Sequence, residues 1–435
     1  MAATTDVAEM FRYTYAKEDM QYLASQEIVM WNLLKPRMKE QGGRGQAIVP
    51  IQTTNAGVFR GHAEGGALTT RRSQPGSTEA TFSLQEFHGI WDISWKMLRA
   101  ASKSEWAFAK ALDFMDNSMR RRVFRLINAD LCGSGLGELA ILPAADDQAT
   151  VTVDSLPFMD IGMIVDLMDA GDNDTLHVDG GTVSAIDITE SGYTVTLGGA
   201  ASGTAATDYF TVADSVATAA SLHMNGVLSV IDDGNPAAVV GNYGGINRTT
   251  AGNEFWQSTV MSNSGTNRPL TEDLAMHAMQ IARQRGGKPI DYWVSNCNIL
   301  RRYHEELSDR TFIQVGKIAG VTEQGGGKIG YGRADAFDGQ DDKGTGETPY
   351  QLCGKPWHEE PYFRANTMVG INKEELYICH DGIEVPTPLG EIFDGMVDYF
   401  KRTANATFEV DHYWEAELVS PDPRAHVKIS DIAET

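Results

Sequence analysis

The hydrophobic positions of this chain change period several times, and each change marks an element. Residues 6–40 carry a helical, mixed-charge pattern that Gly42-Gly43-Arg44-Gly45 breaks. An extended stretch, Ala47–Ile51, leads into a glycine-rich segment holding Gly57, Gly61, Gly65 and Gly66. After Pro75-Gly76 the pattern is that of a strand, with Ala80, Phe82 and Leu84 on one side. From Phe87 the phase switches, and Phe87, Trp91, Ile93 and Trp95 share a face. Residues 46–95 therefore read as a two-stranded arm with the glycines at its tip. A lone hairpin is at best marginally stable in water, so such an arm needs a surface to lie on. The plainer reading is a lid over a site in the same chain.

The strongest helix follows, with Ser104 in position to cap it. Phe108, Leu112, Met115, Met119, Val123 and Leu126 recur three or four residues apart, one face of a 3.6-residue period. Gly133 and Gly135 end it near residue 132. Asp113 and Asp116 precede Arg120, Arg121, Arg122 and Arg125, the order that suits the helix dipole.

Residues 146–215 differ in style. Short β-branched runs (Thr150–Val153, Met163–Leu167, Thr182–Ile188, Tyr193–Leu197 and Tyr209–Val212) alternate with Gly, Asp and Asn turns, predicting a small all-β unit set between helical neighbours. Beyond it lies an α/β segment. Thr271 caps a helix with Leu274, Ala278 and Ile281 on one face, closed by Gly286-Gly287; Ile290–Ser295 is a strand; Asn298 starts a helix using Ile299, Leu300, Tyr303 and Leu307. Residues 323–349 are rich in Gly and Asp and read as a mobile loop. Strand-like runs at Thr367–Ile371, Leu376–Ile378 and Ala406–Val419 complete an α+β chain.

Composition narrows the classes. A chain of 435 residues, 42% hydrophobic and 22% charged, holds two or three packing units and excludes wholesale disorder. The formal net charge of −23 is unevenly spread. Residues 1–125 carry a small basic excess, whereas no Lys or Arg stands between Arg125 and Arg248, where 17 acidic residues lie. Such a surface repels phosphate backbones and argues against tight nucleic-acid binding. The four cysteines are far apart with no CxxC pair, which reads as reduced thiols in a cytosolic product. No signal peptide stands at Met1–Asp6, and no run approaches the ~18 apolar residues of a membrane span.

The chain carries few chemical motifs. The chain has no GxSxG elbow, no GxxxxGK[ST] loop and no HExxH motif. Gly133-Ser134-Gly135-Leu136-Gly137 follows a helix instead of a strand, so it reads as a helix stop and not a dinucleotide loop. Asp169, Asp172, Asp174 and Asp179 surround a turn that could hold Ca²⁺, but the spacing departs from the EF-hand loop and a solvated turn is the plainer reading. His358, Glu359 and Glu360 are adjacent on an irregular loop and are expected on the surface. The arginines at 120–125 are either a partner or phosphate site or a solvated helix face. No catalytic residue, cofactor site or metal site is assigned.

The order of parts resembles the major capsid proteins of tailed bacteriophages, the Hong Kong 97-like fold. The likeness runs from the N-terminal arm 1–45 through the extended loop 46–95 and the spine helix 104–132. It continues in the α/β segment around Lys288-Pro289-Ile290-Asp291-Tyr292-Trp293-Val294-Ser295 and Ile299-Leu300-Arg301-Arg302-Tyr303. It ends in a strand pair near Phe408-Glu409-Val410 and Tyr413-Trp414-Glu415. The resemblance implies a peripheral domain over 96–145, an inserted β domain over 146–215, a mainly axial domain over 216–390, and C-terminal strands 391–435 returning to the peripheral domain. It implies a non-enzymatic, self-assembling virion protein, formed in the host bacterial cytoplasm, whose hexamers and pentamers build an icosahedral shell around double-stranded DNA. A separate scaffolding protein, a portal and a decoration protein are the partners it implies, with no membrane. Candidate inter-subunit contacts are Arg60, Arg71 and Arg72 on the loop and Arg120, Arg121, Arg122 and Arg125 on the spine helix. Two departures matter. Some members cross-link a loop lysine to a neighbour's asparagine, and residues 46–95 hold no lysine. Others carry a long fused scaffolding region, whereas only about 45 residues precede the loop here, which points to a separate scaffold or none. Two other classes compete: a β-rich surface or adhesion protein binding a glycan or Ca²⁺ through 146–215, and a metal-dependent hydrolase using the Asp169–Asp179 turn.

Overall fold

A computed structural model describes residues 28–40, 45–55, 74–95, 105–170, 175–189, 192–213, 216–217, 220–234, 241–310, 350–388, 392, 401–402 and 407–434. The first described helix, α1 (Val29–Leu34), is short and ends as Pro36 forces a 3₁₀ turn over Lys35–Arg37. The chain then adds a two-residue strand, β1 (Lys39–Glu40), parallel to Cys379-His380. The expected helical arm is corrected for this part: residues 28–40 hold one α-helix of six residues, of which Met30, Trp31 and Leu34 belong to the core, and residues 6–27 lie outside the described residues. Trp31 lies 5.3 Å from the Phe124 ring and edge-on to Trp414 at 5.7 Å, so aromatic burial, not helix propensity, fixes this segment.

β2 (Gln46–Thr54) and β3 (Gly76–Ser83) form the predicted antiparallel hairpin, in register from Gln46 opposite Ser83 to Ile51 opposite Thr78. Its base is anchored. Ala47, Val49, Ala80 and Phe82 are buried, Phe82 packs 4.8 Å from Tyr243, and the Thr81 amide donates to the Gly244 carbonyl. The alternation stops at Ile51, and Gln52, Thr53 and Thr54 are all exposed. The arm is shorter than expected: β4 (Gln85–Ser94) leaves the hairpin and pairs over its whole length with residues 407–416. The phase switch at Phe87 is the reason, because it turns Trp91 and Ile93 into the core of a different sheet.

The long helix α2 (Glu105–Cys132) matches its predicted span. It crosses β4 at Gly89, where a Cβ would stand 3.1 Å from Val123 Cγ2 and 2.5 Å from Met119 Cε. Its last turns, Ile127 to Cys132, are buried all round, polar Asn128 and Asp130 included. The following lobe is a six-stranded sheet, with strands β5 (Ala140–Ile141), β6 (Thr150–Val153), β7 (Ile164–Met168), β8 (Leu176–Thr189), β9 (Gly192–Leu197) and β10 (Tyr209–Val212). They are ordered β5-β10-β7-β8-β9-β6. Every predicted run is a strand. The lower boundary moves, however: β5 supplies an edge by pairing Ala140 and Ile141 with Phe210 and Tyr209. Val151, Val165, Leu167, Val183, Val195 and Phe210 also join the same apolar core as Trp31 and Phe82.

A single-turn helix, α3 (Val227–Val230), seats its N-terminus on the end of α2, with the Leu228 amide 3.1 Å from the Gly133 carbonyl. Next come β11 (Thr259–Met261), α4 (Glu272–Gly286), β12 (Tyr292–Ser295) and α5 (Cys297–Arg310). Thr271 caps α4 by accepting from the Leu274 amide, and Gly287 closes it at φ +69°. α5 starts one residue before the expected Asn298, because the Asn296 side chain accepts from the Asn298 amide. β13 (Tyr350–Leu352), β14 (Lys355–Glu359) and β15 (Met368–Ile371) follow, then β16 (Tyr377–His380), β17 (Thr387-Pro388), β18 (Lys401-Arg402), β19 (Thr407–Val419) and β20 (Val427–Ile429). One mixed sheet is ordered β11-β20-β15-β12-β14-β13, with Trp293 and Trp357 at its centre. In the other, β4 runs along one side of β19 while β16, β17 and β18 take the opposite side in turn. The expected loop 323–349 lies outside the described residues.

Candidate assembly surface

Two features of the described chain lack an internal partner of their own kind. The first is the outer part of the β2–β3 hairpin, whose side chains beyond Ile51 face away from the core on both sides. The second is the outer face of the β4–β19 pair. Because side chains alternate along a strand, Gly89, Trp91 and Ile93 are buried while Glu86, His88 and Ile90 are exposed. Register then sets Glu86 directly opposite Glu415, Asp92 opposite Glu409 and Ile90 opposite Asp411.

Like charges directly opposite across strands are destabilising, and this face has two such pairs. Burial, with Asp381 and Glu86 adding to it, raises the Glu415 carboxyl above the ordinary range. Among the described residues, His88 Nδ1 lies 3.1 Å from Asp411, the Tyr413 hydroxyl donates to Glu415, and Lys401, itself 77% exposed, lies 3.6 Å from Glu409. Ile90, 57% exposed, stands in the middle of the carboxylates. The face is thus an acidic ladder around an apolar side chain, suited chemically to a cationic partner with an apolar residue of its own.

The sequence-expected contact residues divide. Arg60, Arg71 and Arg72 lie outside the described residues. Arg121 and Arg122 are exposed on α2, and Arg120 is half-buried. Arg125 is a correction: it points inward, pairs with Asp160, and donates to the carbonyls of Pro157 at 3.3 Å and Met159 at 3.2 Å. It also sits over the Tyr362 ring, 5.3 Å from its centroid. Arg125 therefore ties α2 to the β lobe of its own chain, which the run of four arginines hid.

The expectation of a surface location for His358 and Glu360 is also corrected. Both are buried, and Glu360 is completely so. Its Oε2 accepts from the amides of Val29 and Met30, at 3.1 and 3.3 Å, and from Asn128 Nδ2 at 3.0 Å, so one carboxyl satisfies the start of α1 and holds it to α2. Charged residues are rarely buried, and an irregular Glu-Glu-Pro stretch carries no signal of it. A second buried carboxyl, Glu417, accepts from the Asn225 amide and Nδ2, both at 2.8 Å. Arg248, fully buried, donates to the carbonyls of Ser229 and Val230 and stacks on Tyr243 at 4.5 Å, a cation at the C-terminus of α3.

For the aspartates of the expected cation turn, Asp172 and Asp174 lie outside the described residues, and Asp179 is exposed. Among the described residues no three His, Cys, Asp or Glu side chains converge on a position that could hold a metal ion. No described helix is long and apolar enough to cross a membrane.

No protein-family model and no curated protein matches the chain. Solved structures do. A chain of the cyanophage A-1(L) capsid asymmetric unit superposes with a TM-score of 0.51 at 14% identity, covering 95% of this chain and 94% of that one. The capsid of myovirus phage XM1 gives a TM-score of 0.45 at 8% identity, with 97% of each chain covered. The capsid of an empty GTA particle gives 0.44 at 10% identity, with 99% of each covered. Over nearly its whole length this chain therefore has a fold similar to that of the cyanophage capsid chain.

Proposed function

We propose that this chain is the major capsid protein of a tailed phage, assembling itself into an icosahedral shell around double-stranded DNA. The observation that carries the reading is the end-to-end likeness of fold to the cyanophage capsid chain. On this reading the hairpin straps a neighbouring subunit, α2 is the spine of a peripheral domain, and the sheet around Trp293 belongs to an axial domain at the centre of hexamers and pentamers. The β lobe is an insertion. No catalytic step is assigned to the chain. Scaffolding and portal proteins would act during assembly in the host cytoplasm.

Charge gives the strap its chemistry. The segment 56–73 carries Arg60, Arg71 and Arg72 against a single acid, Glu64. The outer β4–β19 face carries Glu86, Asp92, Glu409, Asp411 and Glu415. Exposed ion pairs contribute only about 0.2–1 kcal/mol each, but bidentate guanidinium–carboxylate contacts do better, and every subunit of a shell repeats them. Replacing Arg71 and Arg72 with glutamate should leave the circular dichroism spectrum unchanged while sharply reducing the yield of fast-sedimenting particles. Added salt should weaken assembly of the parent chain in the same direction. A double variant that assembles like the parent at low salt would show that apolar and backbone contacts hold the strap instead.

A further inference from the structure

We infer that the joint at the C-terminal end of α2 is a proton-dependent latch, in which Glu360 and Glu417 are held as carboxylic acids and their ionisation loosens the packing of α1 and α3 on the long helix. The inference concerns one chain and stands whether or not the chain builds shells.

Glu360 is wholly buried and Glu417 nearly so, and neither has a cation within hydrogen-bonding distance among the described residues. Glu360 accepts three bonds on Oε2 and the Tyr362 amide also faces the carboxyl, while Oε1 has no hydrogen-bond partner of normal geometry among the described residues. Glu417 takes the Asn225 amide, Asn225 Nδ2 and the Leu418 amide on Oε1 alone. The N–H donors favour the ionised form, but complete or near-complete burial with no cation among the described residues outweighs them at both positions.

The location adds to the cost of ionisation. Both groups adjoin the last turn of a 28-residue helix, the negative end of its dipole. Glu360 bonds Asn128 there and raises the Cys132 thiol, and Glu417 shares its surroundings with Asp130. The facing groups are few. α1 presents no titratable side chain to Glu360; α2 presents Cys132; its own stretch presents Tyr362, with His358 and Glu359 just before it. Around Glu417 stand Asp130, already paired with His223, then Tyr243, and Cys379 directly across the sheet. The segment between Arg125 and Arg248 has no Lys or Arg to help. Burial accordingly pushes the Glu360 carboxyl up to about 7 and the Glu417 carboxyl up to about 8.

The sign follows. Between the ordinary carboxyl value of 4.5 and these raised values, the folded state holds protons that the unfolded state releases. Stability is therefore greatest on the acid side of that window and falls as pH rises through it. Each carboxyl raises the unfolding constant about tenfold per pH unit, levelling off near pH 7 for one and pH 8 for the other. His223, raised by Asp130 against its burial, slopes the same way, so the test compares variants with the parent.

Melting temperatures of the parent, Glu360→Gln, Glu417→Gln and the double variant would be followed from pH 5.5 to 9. The parent should melt lower as pH rises, each single variant should lose part of that slope, and the double variant should lose most of it and melt above the parent at pH 9. A double variant that keeps the parent's slope overturns the latch. A second measurement covers variants that fail to fold: infrared spectra of parent protein carrying ¹³C-labelled glutamate carboxyls. Protonated-carboxyl absorption persisting at pH 6.5 supports the latch, and its absence refutes it.

Discussion

Replacing Gly226 with alanine would test the packing of α3 on α2 by adding one methyl group. Gly226 has φ −98° and ψ 171°, which alanine adopts freely, so no backbone strain enters. The obstacle is space. A Cβ there would stand well inside contact distance of the Gly133 and Asp130 carbonyl oxygens and 2.6 Å from the Gly133 carbonyl carbon. Ordinary C···O contacts are about 3.3–3.6 Å, and all three atoms are backbone that cannot rotate away. α3 must therefore lift, which breaks the Leu228–Gly133 bond and the two Asn225–Glu417 bonds and draws Val227, Leu228 and Val230 out of the core. Overpacking costs about 1–3 kcal/mol and each stripped buried group about as much, so taking the low end for the overpacking and the three lost bonds gives about 4 kcal/mol. At roughly 2–4 °C per kcal/mol, calorimetry should record a fall of about 8–16 °C. Gly199→Ala is the control, since nothing lies within 4 Å of its Cβ position and its φ is not in the left-handed region. It should change stability by less than about 1 kcal/mol. If both variants melt alike, the close approach of α3 to the helix end does not limit the fold.

Two further outcomes are expected. Arg125→Ala should destabilise the chain by about 2 kcal/mol, because it strips the Pro157 and Met159 carbonyls and the Asp160 pair together, and urea titration would measure it. With no lysine in residues 46–95, assembled particles boiled in denaturant should run as one band near 47.5 kDa, and a ladder of linked subunits would contradict this.

Periodicity made most of the fold legible. The spacing from Phe108 to Leu126 defined α2, and five β-branched runs defined the lobe almost strand for strand. Partnership across distance was not legible. The change of phase at Phe87 announced a new face, but nothing local said that β4 pairs with residues 407–416 instead of with β2. Ala140-Ile141 was too short to register as a strand, and it completes the lobe's sheet only because Tyr209 and Phe210 reach it. The polar groups that hold the joint were hidden for a related reason. Asn128, Asp130, Arg125 and Glu360 look solvated by residue type, and only tertiary packing buries them. The acidic ladder likewise exists only in the pairing register: Glu86 and Glu415 are 329 positions apart in sequence and directly opposite in space.

Whether this chain builds shells can be seen by electron microscopy of the purified protein. Closed shells of uniform size, or rings of hexamer and pentamer dimensions, should form from the protein alone or with a scaffold and disperse in high salt. Well-dispersed single molecules under all assembly conditions, combined with a Ca²⁺-dependent rise in melting temperature or glycan binding by residues 146–215, would contradict it and favour the surface-binding class.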